Sequence, residues 1–388
     1  MKIAVLTSGR LPVPAVQGGA VENLIDFYLE YNGIHHLYDI TVYSIKQNIK
    51  KHPDTDYNHY HYIDVKSFDA KVAQKIYSLF NKFPYYDSEI EYFLYKSLQH
   101  LKHQHYDCVI LENRPGYAMS VKKVTNAPII LHLHNDLLNN DTFRSREIYS
   151  CLSKVITVSN YIKNCVETLG TGIPVVTVYN GIDLKRFNCK SEKPLVKRED
   201  LGLKDDDFVV VYSGRLTKEK GIKELLQAFL SLKDYPSIKL LVIGGSFYGN
   251  NTSEISPFIK ELQSIADEMS GKIVFTGFIS YDDMPDYLSL ADIAVIPSMW
   301  DDPFPTTVLE AMAVGLPIIA TKSGGIPESC GECAFIVDRD NVVSLLSESL
   351  MNLYSNKVRR IQMSKGGIIK SKQYDKVRYA SDFYQQIL

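Results

Sequence analysis

Residues 293–321 read IAVIPSMWDDPFPTTVLEAMAVGLPIIAT. Two short apolar runs, Ile293–Ile296 and Pro317–Ala320, bracket a loop and a single helix, the outline of a unit in which two parallel strands are joined by a helical crossover. Pro303 and Pro305 cannot sit inside a helix, whereas Thr306 onward keeps a helical pattern until Gly315 and Pro317 stop it. Asp302 is therefore placed in the loop and Glu310 about one to two turns into the helix. The backbone N–H groups of Thr306, Thr307 and Val308 open that helix, where donors lack internal partners and the positive dipole end favours an anion. A phosphate flanked by two carboxylates able to hold sugar hydroxyls describes a nucleotide sugar. The same residues also describe a proline-started surface helix with two solvated carboxylates. The next segment, Ser323-Gly324-Gly325-Ile326-Pro327-Glu328, favours the first description, because glycines past a buried strand let backbone approach where a Cβ would obstruct it.

The pattern repeats outward. Lys2–Leu6, Ile40–Ser44, Cys108–Leu111, Ile129–Leu133 and Val155–Val158 are the expected strands of the first half; Val209–Tyr212, Lys239–Ile243 and Ile273–Thr276 join the two above in the second. Apolar runs alternating with helical patterns specify a doubly wound parallel sheet in each half. At 388 residues the chain fits two domains of roughly 180 residues each, and 45% hydrophobic content supports two cores. A formal charge of −2 gives no reason to expect nucleic acid as a partner. No apolar run reaches the ~18 residues of a membrane span, and the start Met1-Lys2-Ile3-Ala4-Val5-Leu6 runs directly into a strand. A cytoplasmic location with reduced cysteines is expected. Cys330-Gly331-Glu332-Cys333 has half the spacing of a zinc site and lacks the other half.

The acidic residue and Glu310, with seven residues between them, resemble the signature of the retaining glycosyltransferases of family four, which use the GT-B fold. Asp302 stands where many members carry Glu, and Pro305 where many carry Gly. Arg215 and Lys220-Gly221 match a second family motif, and Asn180-Gly181-Ile182-Asp183 an interdomain one. The resemblance implies an α/β GT-B chain, two Rossmann-like doubly wound domains facing each other across a cleft: residues 1–183 on the acceptor side, 184–371 binding the nucleotide sugar, and a C-terminal helix, 372–388, crossing back.

In open parallel sheets ligands gather beyond the carboxyl ends of the strands. Gly18 and Gly19 follow the first strand and are expected to approach the donor. Gly214, Arg215 and Lys220 follow the first strand of the second half, where the Arg fork and the Lys point charge can converge on one diphosphate. Gly244 allows close backbone approach, Thr276-Gly277-Phe278-Ile279 resembles the family segment that lines the base, and Phe278 either stacks on it or fills the core. Pro303, Phe304, Pro305, Thr306, Thr307, Val308 and Glu310 complete the donor site. The polar cluster Glu112, Asn113, Arg114 and, further on, Asn135 are the acceptor-side candidates. The resemblance carries to His134 a contact with the sugar or its acceptor, while His132 on the same strand is also explained as a core histidine. By this reading Arg215, Lys220, His134 and Asp302 are catalytic.

No Asp-x-Asp motif stands convincingly as a metal site: Asp54-Thr55-Asp56 and Asp205-Asp206-Asp207 lie in polar stretches, and Asp338-Arg339-Asp340 precedes a helix. No metal and no cofactor are expected, since Arg215, Lys220 and the helix start supply the positive charge. The expected function is retaining transfer of a sugar from a nucleotide-sugar donor to a glycan, lipid-linked or surface-polysaccharide acceptor. A nucleotide-sugar epimerase of the same fold and a noncatalytic glycan-binding or partner-binding relative are the alternatives. Residues 71–83 form a basic amphipathic helix that either rests on an anionic membrane at the inner face of the cell membrane or packs on its own sheet with lysines in water.

Overall fold

A computed structural model describes residues 1–47, 55–80, 87–187, 194–245 and 256–387. Expectations at Asp54, at 81–83 of the basic helix, at Ser246 and at Leu388 lie outside the described residues. The chain divides into two compact units, one of Met1–Tyr179 plus the segment from Tyr379 onward, the other of Asn180–Arg378.

The first unit carries β1 (Lys2–Leu6), β2 (Asp39–Ile45), β3 (Asn58–Ile63), β4 (Cys108–Glu112), β5 (Ile129–Leu133), β6 (Lys154–Thr157) and β7 (Val175–Thr177). They run in the order β3-β2-β1-β4-β5-β6-β7, every neighbouring pair parallel. Central strands β4 and β5 are buried along their whole length, which is why they read as continuous apolar runs. Strand β3 sits at the sheet edge and spells Asn58-His59-Tyr60-His61-Tyr62-Ile63, a half-exposed sequence that no apolar pattern announces.

The second unit carries β8 (Phe208–Ser213), β9 (Ile238–Ile243), β10 (Ile273–Gly277), β11 (Ile293–Ile296), β12 (Ile318–Thr321) and β13 (Ala334–Val337). Their order is β10-β9-β8-β11-β12-β13, again all parallel. Strand order reverses between β1 and β4 in one unit and between β8 and β11 in the other. Those switch points are where an open sheet leaves room for a ligand.

The unit boundaries differ from the sequence expectation by a few residues. Ile182 bridges Asp375 in parallel register, and Lys376 Nζ lies 2.9 Å from Asp183 Oδ2. These contacts hold Asn180–Asp183 and Lys372–Arg378 in the second unit. Past that point the helix Lys376–Gln385 enters the first core: Phe383 stacks on Tyr28 with centroids 4.5 Å apart, and the Tyr384 hydroxyl donates to the Tyr28 carbonyl at 2.7 Å. The basic helix runs Phe68–Phe80 and leaves Phe68, Val72 and Ile76 exposed, so these apolar residues do not pack on the sheet.

Candidate functional site

In the second unit, the loops after β8 and β11 meet beyond the carboxyl ends of their strands. The Met299 N–H donates to the Glu219 carbonyl at 2.9 Å, which locks the two loops together. Lys220 Nζ lies 2.6 Å from Asp302 Oδ2, with the Ser298 hydroxyl on the same oxygen at 3.3 Å. Lys220 also sits over the Trp300 ring, 5.3 Å from its centroid. Asp302 is buried, and its partner is the cation that the sequence assigned to the diphosphate. Arg215, beside them, is half-exposed and lies 3.6 Å from Glu219. Trp300 and Ser298 were not singled out from the sequence; the proximity of Trp300 to Asp302 in the chain was the available signal.

The helix expected from Thr306 spans Thr306–Val314 with Pro305 at its N-cap. Thr306 and Thr307 are partly exposed at its first turn. The Val308 N–H instead donates to the Pro305 carbonyl at 3.2 Å and its side chain is core, so Val308 leaves the set of anion donors. Pro303 and Pro305 are buried. Phe304 is also buried, edge-on to Tyr374 with centroids 5.6 Å apart, and its carbonyl accepts from Asn180 Nδ2 at 2.8 Å. The side chains of these three residues pack inward and shape the loop. Glu310 is buried, and burial pushes its carboxyl up to about 7 while the Thr306 side chain hydrogen-bonds to it.

Two glycines read as ligand approaches serve the chain's own backbone. A Cβ on Gly244 would stand 1.9 Å from the Gly214 carbonyl oxygen, so this glycine makes room for the turn after β8. A Cβ on Gly324 would stand 2.3 Å from the Asp302 carbonyl oxygen, and the Gly325 N–H donates to that oxygen at 2.8 Å. The glycine pair thus holds the acidic loop. Phe278 is 39% exposed, which removes core filling as its role, and Ile279 beside it is half-buried.

In the first unit, Glu112 closes β4 with no exposure at all. The Tyr28 hydroxyl donates to its Oε1 at 3.0 Å, while His132 Nδ1 and His134 Nε2 lie 3.1 and 3.0 Å from its Oε2. Burial alone would raise this carboxyl, but His132 and then His134 hold it down at about 2. Burial, reinforced by His132, lowers His134 to about 4 against the opposing pull of Glu112. At neutral pH the group is a carboxylate facing a neutral His134. Glu112 thus lies beneath the surface on which it was expected to meet an acceptor. Asn113 accepts the His134 backbone N–H on its Oδ1 at 3.0 Å, Arg114 Nε donates to the Ser8 carbonyl at 3.1 Å, and Asn135 is half-buried past the strand. Gly18 and Gly19 lead into the helix Ala20–His35. That helix brings a residue unmarked in the sequence, Glu22, buried beside Ser8 and pushed up to about 7 by burial. Glu112, His132 and His134 are also a set of residues that could hold a metal ion, each with one ligand atom within 4.8 Å of the others.

Residues 195–369 match the family model described as Glycosyl transferases group 1, and residues 53–186 the one described as Glycosyltransferase Family 4. Spore coat protein SA of Bacillus subtilis is 29% identical over 385 residues, covering 94% of this chain and 93% of its own length. The lipopolysaccharide 1,2-N-acetylglucosaminetransferase of Salmonella typhimurium is 30% identical over 224 residues, 57% of this chain and 55% of its own. The solved structure of Anabaena Alr3699/HepE in complex with UDP and glucose matches with a TM-score of 0.74 at 20% identity, covering 100% of this chain and 99% of that one. The fold is the α/β GT-B architecture, with its two parallel sheets of seven and six strands.

Proposed function

Starting from the group 1 glycosyl transferases, the family to which this chain belongs, we propose that it moves a sugar from a nucleoside-diphosphate sugar with retention of anomeric configuration and without a metal. The observation that carries this reading is the Lys220–Asp302 pair at the β8/β11 switch point of the second unit, with Arg215 on the same loop as Lys220 and the Thr306 helix starting four residues after Asp302. Cleavage of the glycosyl phosphate bond develops negative charge on the leaving diphosphate. Arg215, Lys220 and the N–H groups of Thr306 and Thr307 neutralise it, each preorganised donor contributing on the order of 3 kcal/mol. Glu310 holds the ribose hydroxyls, Asp302 those of the transferred sugar, and Phe278 stacks on the base. Retention follows when the acceptor attacks from the face that the diphosphate leaves. The first unit, through His134 and its neighbours, takes the acceptor.

A relative that binds UDP and glucose makes UDP-sugars the first donors to test. A thermal-shift screen against UDP, GDP, ADP, CMP and dTDP sugars, with and without EDTA, is expected to show stabilisation by one nucleotide family that EDTA leaves unchanged. No shift with any of them would point to a noncatalytic relative. An altered sugar nucleotide formed from the donor alone would point to an epimerase.

The acceptor is a glycan, a lipid-linked oligosaccharide or a surface polysaccharide. Among the described residues no helix is long and apolar enough to cross a membrane, and we assign peripheral contact to the helix Phe68–Phe80. Its exposed Phe68, Val72 and Ile76 stand beside the exposed Lys71 and Lys75, the pairing that suits an anionic bilayer surface. The chain is expected to sediment with phosphatidylglycerol vesicles and not with phosphatidylcholine ones, and Phe68→Ser/Ile76→Ser to stay in the supernatant.

A further inference from the structure

We propose that Glu112 is a positioning residue that fixes the His134 ring with its proton on Nε2 and its Nδ1 lone pair presented to a hydroxyl of the sugar substrate. The inference rests on the reading of His134 as a substrate contact and deepens it. A carboxylate can only accept hydrogen bonds. Both ring nitrogens that face Glu112, His132 Nδ1 at 3.1 Å and His134 Nε2 at 3.0 Å, must therefore be N–H donors. A neutral His134 with its proton on Nε2 keeps Nδ1 bare, and a bare nitrogen accepts a hydroxyl proton where an N–H nitrogen cannot.

The ring is held from its backbone as well. The His134 N–H donates to Asn113 Oδ1 at 3.0 Å, and Asn113 sits in the left-handed region with φ 57° while its own N–H donates to the His132 carbonyl at 2.8 Å. Behind the carboxylate, Tyr28 donates to Oε1 and stacks on Phe383, and the His132 ring lies 5.0 Å from Phe383. The returning C-terminal helix thus supports the carboxylate that orients His134. The other titratable groups facing this cluster are Glu22 on the helix Ala20–His35 and Tyr379 on the returning helix.

The test reads the proton itself. In chain labelled with 15N-histidine, the His134 ring is identified as the signal lost in His134→Gln, and long-range proton–nitrogen correlation assigns its tautomer. The wild-type ring is expected to carry its proton on Nε2, the nitrogen 3.0 Å from the carboxylate, with Nδ1 bare. In Glu112→Gln the acceptor loses its negative charge and one of its two faces becomes an NH2 donor, so the pull that holds the ring proton on Nε2 weakens and His134 is expected to populate the tautomer protonated on Nδ1. Turnover should fall at least ~10-fold, a part of the ~100-fold or more that a positioned proton acceptor contributes, with the nucleotide-sugar KM nearly unchanged. A His134 protonated on Nδ1 in the wild type, an unchanged tautomer and turnover in Glu112→Gln, or one equivalent of zinc bound to the purified chain would each overturn the proposal. If Glu112→Gln does not fold, the wild-type spectrum alone decides. Full turnover in His134→Gln beside the expected tautomer would instead remove His134 as a substrate contact and leave the tautomer assignment standing, so the two failures are distinguishable.

Discussion

Lys220→Ala is expected to lower kcat/KM by about a hundredfold or more and, separately, to destabilise the second unit, and the two losses can be pulled apart. Lys220 is largely buried and meets an almost fully buried Asp302 at 2.6 Å. Removing one partner of such a pair strands the other charge, which typically costs about 3–5 kcal/mol. Among the described residues the Ser298 hydroxyl, at 3.3 Å, is the further side-chain donor to that carboxylate oxygen. Asp302→Asn in the same chain removes the stranded charge, so Lys220→Ala/Asp302→Asn should recover most of the stability measured by urea denaturation. Turnover should not recover, because the cation aimed at the leaving diphosphate stays lost and Asp302→Asn also weakens the grip on the transferred sugar's hydroxyls. Arg215→Ala provides the complementary case. Its side chain is 40% exposed and paired with an equally exposed Glu219, so stability should barely change while turnover falls by a similar factor of about a hundred. Recovery of turnover in the Lys220/Asp302 double variant would mean that Lys220 acts only to neutralise Asp302, and the leaving-group role would pass to Arg215 alone.

The two sheets were legible in the sequence because strands buried on both faces must be apolar throughout. All ten expected strands are present within a residue or so of their bounds. The edge strand β3 escaped because half-exposed Tyr and His alternate there, and the three-residue β7 is too short to separate from a turn. The helix at Thr306 was legible from Pro305 and Gly315, since prolines and glycines state backbone constraints directly. Side-chain partnerships were not. Lys220 and Asp302 are 82 positions apart, and composition gives no means of telling that a cation read as a phosphate ligand already faces a carboxylate. Gly244 and Gly324 announced a close approach correctly but not what approaches, and in both cases it is the chain's own carbonyl. Glu112 looked like a polar surface residue because strand ends open to ligands. A histidine on the next strand, another just past its end and a tyrosine from the first helix enclose it instead.

Glu310→Gln is expected to stabilise the unliganded chain at pH 8 while weakening nucleotide binding. Burial pushes the Glu310 carboxyl from 4.5 up to about 7. Between those values the unfolded chain has released its proton and the folded chain has kept it, so unfolding becomes easier as pH rises through this window. With about 1.4 kcal/mol for each pH unit, the ionisable side chain costs the folded state about 3 kcal/mol above pH 7 and nothing below about pH 4.5. Gln has no such term. The stability advantage of Glu310→Gln should therefore be near zero at about pH 4.5, grow through the window and level off above about pH 7. Glu22 and Asp26, also pushed up to about 7 by burial, titrate in the same range, but they do so in both chains and cancel in the difference. Binding should move the opposite way. An ionised carboxylate accepting ribose hydroxyls is worth about 1.5–3 kcal/mol per hydrogen bond, so the variant should bind the nucleotide about ten- to a hundredfold more weakly. Wild-type affinity should also rise as pH passes through about 7, with a proton released on binding, whereas the variant's affinity stays flat. Calorimetry in two buffers of different ionisation enthalpy measures that proton, and urea denaturation across the same pH range measures the stability term. A Glu310→Gln chain that is less stable than wild type at pH 8, or that binds nucleotide as tightly, would show that this carboxyl is held for packing. A stability gain joined to an affinity loss identifies a group whose burial is tolerated because the ligand needs its charge.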